Sequence, residues 1–382
     1  MKTVAEINEK IRKGKAIVVT AEEVIDIARD MGYRKAAEKI DVVTTGTFGP
    51  MCSSGVFINF GHSNPPIKMQ KVKLNDVPAY AGIAAVDAYI GATELSETRG
   101  MEYGGGHVIE DLVAGKDIKL YATAYGTDCY PRREILTSIN KHNVNQAYMY
   151  NPRNAYQNYP AATNSTNRTI YTYMGTLLPN FGNITYSTSG ELSPLLNDPY
   201  LRTIGLGTKI FLGGTEGYVT WQGTQNNPNQ ERNERGVPVS LAGTLALAGD
   251  IKGMSTRYVK GATYEKYGPS LFVGVGIPIP VIDEDMLAST AVTNRDITTK
   301  LSDKSGNENL DVSFTYEQLR SGWVEYRGRK VPTAPLSSLP RAREIAQVLK
   351  KWVAMGEFLL TEASTTLQKP DIINQLTIRE IK

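Results

Sequence analysis

Two cysteines, Cys52 and Cys129, are the only ones in the 382 residues of this chain. Both stand among small, polar and turn-forming residues rather than in apolar runs. A thiolate is a strong nucleophile, and two thiols can also exchange electrons through a disulfide. The alternative is that each cysteine is a small buried residue without reactivity. The residue types therefore indicate thiol chemistry, with the unreactive alternative still open.

Cys129 lies in the segment YGTDCYPRRE, where a strand is expected to run into a helix. Proline is favoured at the first position of a helix, so this segment predicts a helix over residues 131–140. Unpaired amides and the positive end of the helix dipole would then favour the thiolate, and Arg132 and Arg133 add positive charge. These effects would lower the pKa of the Cys129 thiol. Asp128 opposes them or caps the helix itself.

Cys52 lies in the segment TTGTFGPMCSSG. Its glycines and serines predict a tight loop with accessible amide groups, which could stabilise an anion. No base or cation stands beside this cysteine in the sequence. A small buried residue next to a turn explains the local pattern equally well.

The three histidines carry weaker signals. His107 follows a glycine triplet and is a candidate for substrate binding or proton transfer; a structural histidine is the alternative. His62 and His142 add no further pattern. The cysteines and histidines show none of the usual spacings of a metal site, and two thiolates are too few for a conventional iron–sulfur cluster.

The elements that would hold these residues alternate between short strands and short helices, which is typical of an α/β fold. Two helices are predicted in the first forty residues, the second capped by Thr20 with Glu23 three residues later. Strands are predicted at 41–45, 56–60, 67–74, 84–93, 118–124, 168–174, 209–212 and 270–281, and further helices at 108–114 and 341–355.

Residues 145–230 differ in character because tyrosine, asparagine and glycine dominate them. We interpret this range as a loop-rich insertion within one unit that spans residues 1–382. Long structured loops on a scaffold often carry binding groups. A polar surface excursion is the alternative.

Charge and hydropathy exclude several function classes. The 42 basic and 39 acidic residues leave a net charge of +3, without a long basic run, which argues against nucleic acid or a membrane as the main partner. No apolar stretch reaches the roughly 18–20 residues that span a bilayer, and no signal peptide is evident. The sequence therefore predicts a cytoplasmic protein with reduced thiols, and it is compatible with a homo-oligomer.

The segments TTGTFGPMCSSG and AYGTDCYPRREI resemble a homocysteine-biosynthesis family of methanogens and other anaerobes, the L-aspartate semialdehyde sulfurtransferases. The likeness covers nearly the whole chain, including GGTEGYVTWQGTQ and VGVGIPIPVI. The resemblance implies a sulfurtransferase that inserts sulfur into L-aspartate semialdehyde to form homocysteine. It also implies a ferredoxin-domain partner that supplies electrons from its iron–sulfur group, with no cofactor in this chain. Some members of the family carry a C-terminal regulatory domain, and we expect none in this chain.

This chemistry leads to a hypothesis for each candidate residue. Cys129 would carry a persulfide, which Cys52 would attack or resolve, and a disulfide between them could collect oxidising equivalents. Arg132 or Arg133 would hold the α-carboxylate of the substrate. The alternatives are a dithiol oxidoreductase and a non-catalytic small-molecule-binding protein. Both enzymes predict that the cysteines share one pocket, whereas the binding protein predicts buried cysteines far apart.

Overall fold

The computed structural model describes residues 1–227, 229–306, 308–367 and 376–379. Its α-helices are α1 (Val4–Arg12), α2 (Ala21–Met31), α3 (Tyr33–Lys39), α4 (Gly105–Val113), α5 (Pro194–Asn197), α6 (Glu284–Thr290), α7 (Tyr316–Arg320) and α8 (Leu339–Ala354). The helix α2 begins as its sequence predicts, since Thr20 and Glu23 form a capping box. No helix in the described ranges is long and apolar enough to cross a membrane.

Strands dominate the fold. The first half of the chain contains β1 (Val18–Thr20), β2 (Val42–Thr44), β3 (Thr47–Pro50), β4 (Gly55–Asn59), β5 (Lys71–Leu74), β6 (Val77–Ala84), β7 (Asp87–Gly91), β8 (Leu95–Ser96), β9 (Gly100–Gly104), β10 (Ile118–Thr123), β11 (Glu134–Ile139), β12 (Gln146–Asn154), β13 (Ala161–Thr163), β14 (Ile170–Thr172), β15 (Gly175–Leu177) and β16 (Ile184–Tyr186). The second half contains β17 (Gly205–Leu206), β18 (Lys209–Leu212), β19 (Thr215–Gln222), β20 (Leu245–Asp250), β21 (Val259–Tyr264), β22 (Gly268–Gly276), β23 (Pro278–Pro280), β24 (Thr298–Asp303), β25 (Glu308–Thr315), β26 (Trp323–Tyr326), β27 (Arg329–Pro335) and β28 (Thr365–Thr366).

A thirteen-stranded sheet is the centre of the molecule. Its strand order is β11-β10-β5-β6-β7-β4-β12-β20-β19-β18-β22-β21, and β3 pairs with β22 at the side of this path. Helix α4 packs on β21 and β22, while α8 packs on β3 and β22. The largest apolar cluster lies between the sheet and α4, where Val273, Leu271 and Ile109 are inaccessible to solvent.

The predicted α/β architecture holds only in part. The chain does mix helices with strands, but every pairing within the thirteen-stranded sheet is antiparallel. Antiparallel strands can be joined by tight turns, so the short connections along this chain do not need crossover helices. A parallel crossover does occur where α2 and α3 link β1 to β2.

A six-stranded sheet lies beside the large one, in the order β25-β24-β13-β16-β27-β26. Its β13–β24 and β16–β27 pairs are parallel. The range 145–230 contributes β13 and β16 to this sheet, and β12, β18 and β19 to the large sheet. Tyrosines from the connections between these strands therefore stand close to the large sheet.

The predicted helix over residues 131–140 is wrong. Residues 134–139 form the strand β11, which pairs with β10 from Thr123↔Glu134 to Ile118↔Ile139. The β-branched residues Ile135, Thr137 and Ile139 favour a strand, and the pairing partner β10 satisfies their backbone groups. Proline at position 131 lies in an extended connection, where its fixed φ is equally well tolerated.

Candidate active site

Cys52 occupies a tight turn between β3 and β4. The amide of Ser54 donates to the carbonyl of Met51 at 3.0 Å, which closes the turn. The turn is fixed to β12: Ser53 Oγ donates to Asn151 Oδ1 at 2.9 Å, and Asn151 Nδ2 donates to Ser54 Oγ at 2.7 Å. The loop that the glycines and serines predict is therefore present, and buried polar side chains hold it in position.

The Cys52 side chain borders a small cavity of about 50 Å³. Tyrosines make up much of its wall. The residues that line it with Cys52 are Pro50, Tyr156, Tyr159, Tyr173, Met174, Ser187, Tyr264, Tyr267, Ser270 and Leu336. A wall that is mostly apolar with a few polar groups is typical of sites that bind small organic molecules.

Burial raises the pKa of the Cys52 thiol. The charge of Arg153 and the amides of Cys52 and Ser53 act in the opposite direction, because they favour the anion. Cys52 is therefore a protonated thiol next to groups that can stabilise a sulfur anion. Sequence inspection misses Arg153, which is distant in the chain and reaches the cysteine through β12.

Three polar atoms near this thiol have no hydrogen-bond partner within the described residues. These are Tyr264 Oη, Ser270 Oγ and Arg153 Nε, and all three are inaccessible to solvent. Buried polar groups are normally paired, because an unpaired one loses its hydration without compensation. Two of them, on Tyr264 and Ser270, belong to residues of the cavity wall. The cavity therefore offers unused hydrogen-bonding capacity to a ligand.

The remaining wall tyrosines form a connected group. Tyr159 and Tyr173 share a hydrogen bond between their hydroxyls at 3.0 Å, and the ring of Tyr156 meets that of Tyr159 edge to face at 5.2 Å. Burial raises the pKa of Tyr156 to about 12 and raises that of Tyr159 as well. These phenols are therefore neutral hydrogen-bond donors at physiological pH. The tyrosine content of residues 145–230 is the sequence signal for this wall.

Cys129 lies elsewhere, in the turn that connects β10 to β11. The turn is closed by a bond from the Thr127 amide to the Tyr130 carbonyl at 2.9 Å, and Cys129 is exposed. Its sulfur lies 3.5 Å from Thr127 Oγ1. Because no helix follows this cysteine, the helix-dipole argument for its reactivity does not apply.

The structure does not bring the two cysteines together. Cys52 precedes Gly55, which pairs with Gly91 at one end of the strands, whereas the β10–β11 turn lies at the end where Asn59 pairs with Asp87. The strands β7, β6 and β5 also lie between β4 and β10. Four strand spacings amount to roughly 19 Å along the sheet. Cys129 is accordingly absent from the cavity wall.

Arg132 and Arg133 share the turn with Cys129 and lie outside the Cys52 cavity. The guanidinium of Arg132 donates to the carbonyls of Pro65 and Asn64 at 2.9 and 2.8 Å. It thereby ties the turn to the chain that follows β4. Arg133 is exposed. Both stay candidates for binding an anion near Cys129, and neither lines the Cys52 cavity.

His107 lies in the first turn of α4, also outside the cavity. Its Nδ1 accepts a hydrogen bond from the Gly104 amide at 3.2 Å, and its ring stacks on Tyr103 at 5.3 Å. Burial lowers the pKa of His107, so the ring is neutral at physiological pH. This geometry fits a helix cap. No group of three or more potential metal ligands occurs in the ranges that the structure describes.

Comparison of the sequence with known proteins identifies its family. The sequence model of a family described as "Homocysteine biosynthesis enzyme, sulfur-incorporation" matches residues 16–360. A protein of Methanosarcina acetivorans named L-aspartate semialdehyde sulfurtransferase is 52% identical, over 94% of this chain and 71% of its own length. One of the same name from Methanocaldococcus jannaschii is 50% identical, over 97% of this chain and 74% of its own.

A more distant relative, an uncharacterized protein of Methanothermobacter thermautotrophicus, is 31% identical over 84% of this chain and 72% of its own length. No solved structure matches the chain. The matches confirm the resemblance that the two cysteine segments indicate. The chain belongs to the homocysteine biosynthesis enzymes that incorporate sulfur.

Proposed function

We propose that this chain incorporates sulfur into L-aspartate semialdehyde to form homocysteine, through a persulfide on Cys52. The two relatives that are at least half identical to it carry the name of this activity. The observation that carries the proposal is the Cys52 cavity. Its wall combines a thiol with unpaired hydroxyls, and the cation Arg153 acts on that thiol from β12.

The first step forms a carbon–sulfur bond. A persulfide is more acidic than a thiol, so its outer sulfur is anionic beside Arg153 even though the Cys52 thiol is not. This sulfur attacks the aldehyde carbon, the carbonyl electron pair moves to oxygen, and the oxygen takes up a proton. The product remains attached to Cys52 through the S–S bond.

Reduction then releases the product. Two electrons and two protons cleave the S–S bond, which regenerates the Cys52 thiol and frees a thiohemiacetal. Loss of water gives a thioaldehyde, and two further electrons with two protons convert it into the thiol of homocysteine. The sum is one aldehyde, one sulfur atom, four electrons and four protons, giving homocysteine and water. We propose that a ferredoxin-domain partner supplies these electrons from its iron–sulfur group.

The exposed Cys129 is proposed to take up sulfur first, because an external donor can reach it. Its distance from Cys52 along the sheet does not support transfer within one copy of the chain. We therefore propose that sulfur passes from Cys129 of one copy to Cys52 of another. The same separation disfavours a dithiol oxidoreductase, which needs both sulfurs in contact.

Mass spectrometry of the intact cysteine peptides tests the central step. The protein is incubated with inorganic polysulfide, and one added sulfur atom is expected on the Cys52 peptide. Addition of L-aspartate semialdehyde with a low-potential reductant should then remove that sulfur and yield homocysteine. The Cys52→Ser variant keeps the size of the side chain and should yield none. Full homocysteine formation by this variant would overturn the proposal.

A further inference from the structure

We propose that Ser270 and Tyr264 bind the aldehyde oxygen of the substrate, while Arg153 binds its carboxylate. This assignment rests on the proposed function and specifies how the Cys52 cavity holds an amino-acid aldehyde. Nothing in the comparisons assigns a role to these three residues.

The strand register brings Ser270 and Tyr264 to one face. In the β21–β22 hairpin, Ala262 pairs with Ser270 and Tyr264 pairs with Gly268. Side chains of directly paired residues, and of residues two apart in a strand, point to the same side of a sheet. Both hydroxyls therefore leave the hairpin on the side that borders the cavity, as its lining confirms.

The register also brings Cys52 next to Ser270. Strand β3 ends with Pro50 paired to Phe272, and the Met51 amide still donates to the Leu271 carbonyl at 2.7 Å. Continued by one residue, this antiparallel course leads Cys52 to the position opposite Ser270. The charge of Cys52 also acts on the hydroxyl of Tyr264. The thiol and both hydroxyls therefore belong to residues that line the same cavity.

This arrangement fits the charge that develops in the reaction. Attack of sulfur on an aldehyde places negative charge on the carbonyl oxygen, and fixed hydroxyl donors stabilise such an oxygen. Ser270 is 1% exposed, and neither hydroxyl has another partner among the described residues. Both donors are thus buried and unpaired among the described residues, and a carbonyl oxygen would satisfy them.

Arg153 supplies the second point of attachment. Its Nε is buried and unpaired, and its charge acts on Cys52 and Tyr156. A guanidinium binds a carboxylate through two parallel hydrogen bonds, for which Nε is one of the donors. An aldehyde at one end and a carboxylate at the other therefore define the ligand class as a short amino-acid semialdehyde.

Protection of Cys52 from alkylation tests the assignment without any sulfur transfer. An aldehyde that adds reversibly to Cys52 blocks iodoacetamide, and the concentration giving half protection measures its affinity. Two aldehydes are compared: L-aspartate semialdehyde and butanal, which lacks the carboxylate. For each variant, the alkylation rate with aldehyde is divided by the rate without aldehyde, so that changes in the intrinsic alkylation rate cancel.

Tyr264→Phe and Ser270→Ala are expected to weaken protection by both aldehydes about tenfold. Arg153→Gln should weaken protection by the semialdehyde alone, and Arg153→Lys should restore part of it. Tyr218→Phe, which alters an exposed tyrosine of β19 outside the cavity wall, is the matched control and should have no effect. Unchanged protection in all three test variants would overturn the assignment. Homocysteine formation by the wild-type protein is measured separately. The sulfur-transfer proposal can therefore stand or fail whatever the protection experiment shows.

Discussion

Gly106 of α4 lies directly against the backbone of Ser270, so that a β-carbon at position 106 would overlap the Ser270 carbonyl oxygen. The neighbouring Gly105 lies equally close to the carbonyl oxygen of Gly91. The glycines before His107 therefore allow α4 to pack closely against the sheet behind the cavity. They do not form an anion-binding loop in this arrangement.

Replacing Gly106 with alanine should destabilise the protein and disturb the cavity. The overlap involves backbone atoms that cannot move aside as a side chain does, so we expect a loss of about 1–3 kcal/mol in the free energy of unfolding. Urea denaturation measures this loss. Gly91→Ala is the control, because its β-carbon would meet only the Tyr89 ring at 3.9 Å. Equal stability of the two variants would contradict the close packing.

The rate of Cys52 alkylation should rise with pH at higher values than for an ordinary thiol. Burial raises the pKa of this thiol, so its reaction with iodoacetamide should rise with pH around a midpoint above the ordinary value of about 8.5. Arg153 lowers this pKa, and Arg153→Gln should therefore move the midpoint higher still. Peptide mass spectrometry follows the reaction of Cys52. An unchanged midpoint in Arg153→Gln, with Arg153→Lys as reference, would contradict the electrostatic contact.

Sulfur transfer between copies predicts complementation. Cys52→Ala and Cys129→Ala should each lack homocysteine formation, whereas an equimolar mixture should regain a measurable fraction of the wild-type rate. The mixture contains intact Cys129 on one copy and intact Cys52 on the other. The rate is measured with polysulfide as the sulfur source. An inactive mixture, or full activity in Cys129→Ala alone, would show that transfer does not follow this route.

Asp41 should make a pH-dependent contribution to stability. Its carboxylate is 1% exposed, accepts from the Ile17 amide at 3.0 Å, and pairs with Lys10 at 2.7 Å. Hydrogen bonds from Lys10 and Ile17 hold the pKa of Asp41 below its usual value against the effect of burial. The contribution is therefore present above the unfolded-state pKa and is lost as the pH falls through the folded-state pKa.

Asp41→Asn should accordingly cost roughly 2 kcal/mol of unfolding free energy at neutral pH and progressively less in acid. Thermal unfolding at several pH values measures this difference. Asp26→Asn is a suitable control, since its carboxylate is exposed and, among the described residues, pairs with Arg29 on the surface. A cost that does not change with pH would contradict the assigned role of the carboxylate.

Local patterns predict local structure well in this chain. The capping box of Thr20 and Glu23 and the strand Lys209–Leu212 occur where the sequence indicates them, because each depends on neighbouring residues. The segment after Cys129 fails for the opposite reason. Its proline is compatible with a helix or an extended chain, and pairing with β10 decides between them. That partner strand is a tertiary contact, which local propensity does not encode.

The candidate site shows the same difference between what local sequence predicts and what depends on tertiary contacts. Cys52 and the tyrosine-rich range are visible in the sequence because their residue types are conspicuous. Arg153, Tyr264 and Ser270 carry no motif and come near Cys52 only through strand pairing. The proximity of Cys52 and Cys129 was an assumption that spacing in the sequence could not support. Sheet order separates them, and strand register places them at opposite ends.

The cavity wall comes from widely separated parts of the chain, from Pro50 to Leu336. During synthesis on the ribosome, Cys52 emerges long before the last of these parts. Until then its thiol stands open to any oxidant or electrophile in the cell, without the surroundings that suppress its ionisation. Completion of the polypeptide thus converts an accessible thiol of ordinary acidity into one that is enclosed by the cavity wall and stays protonated.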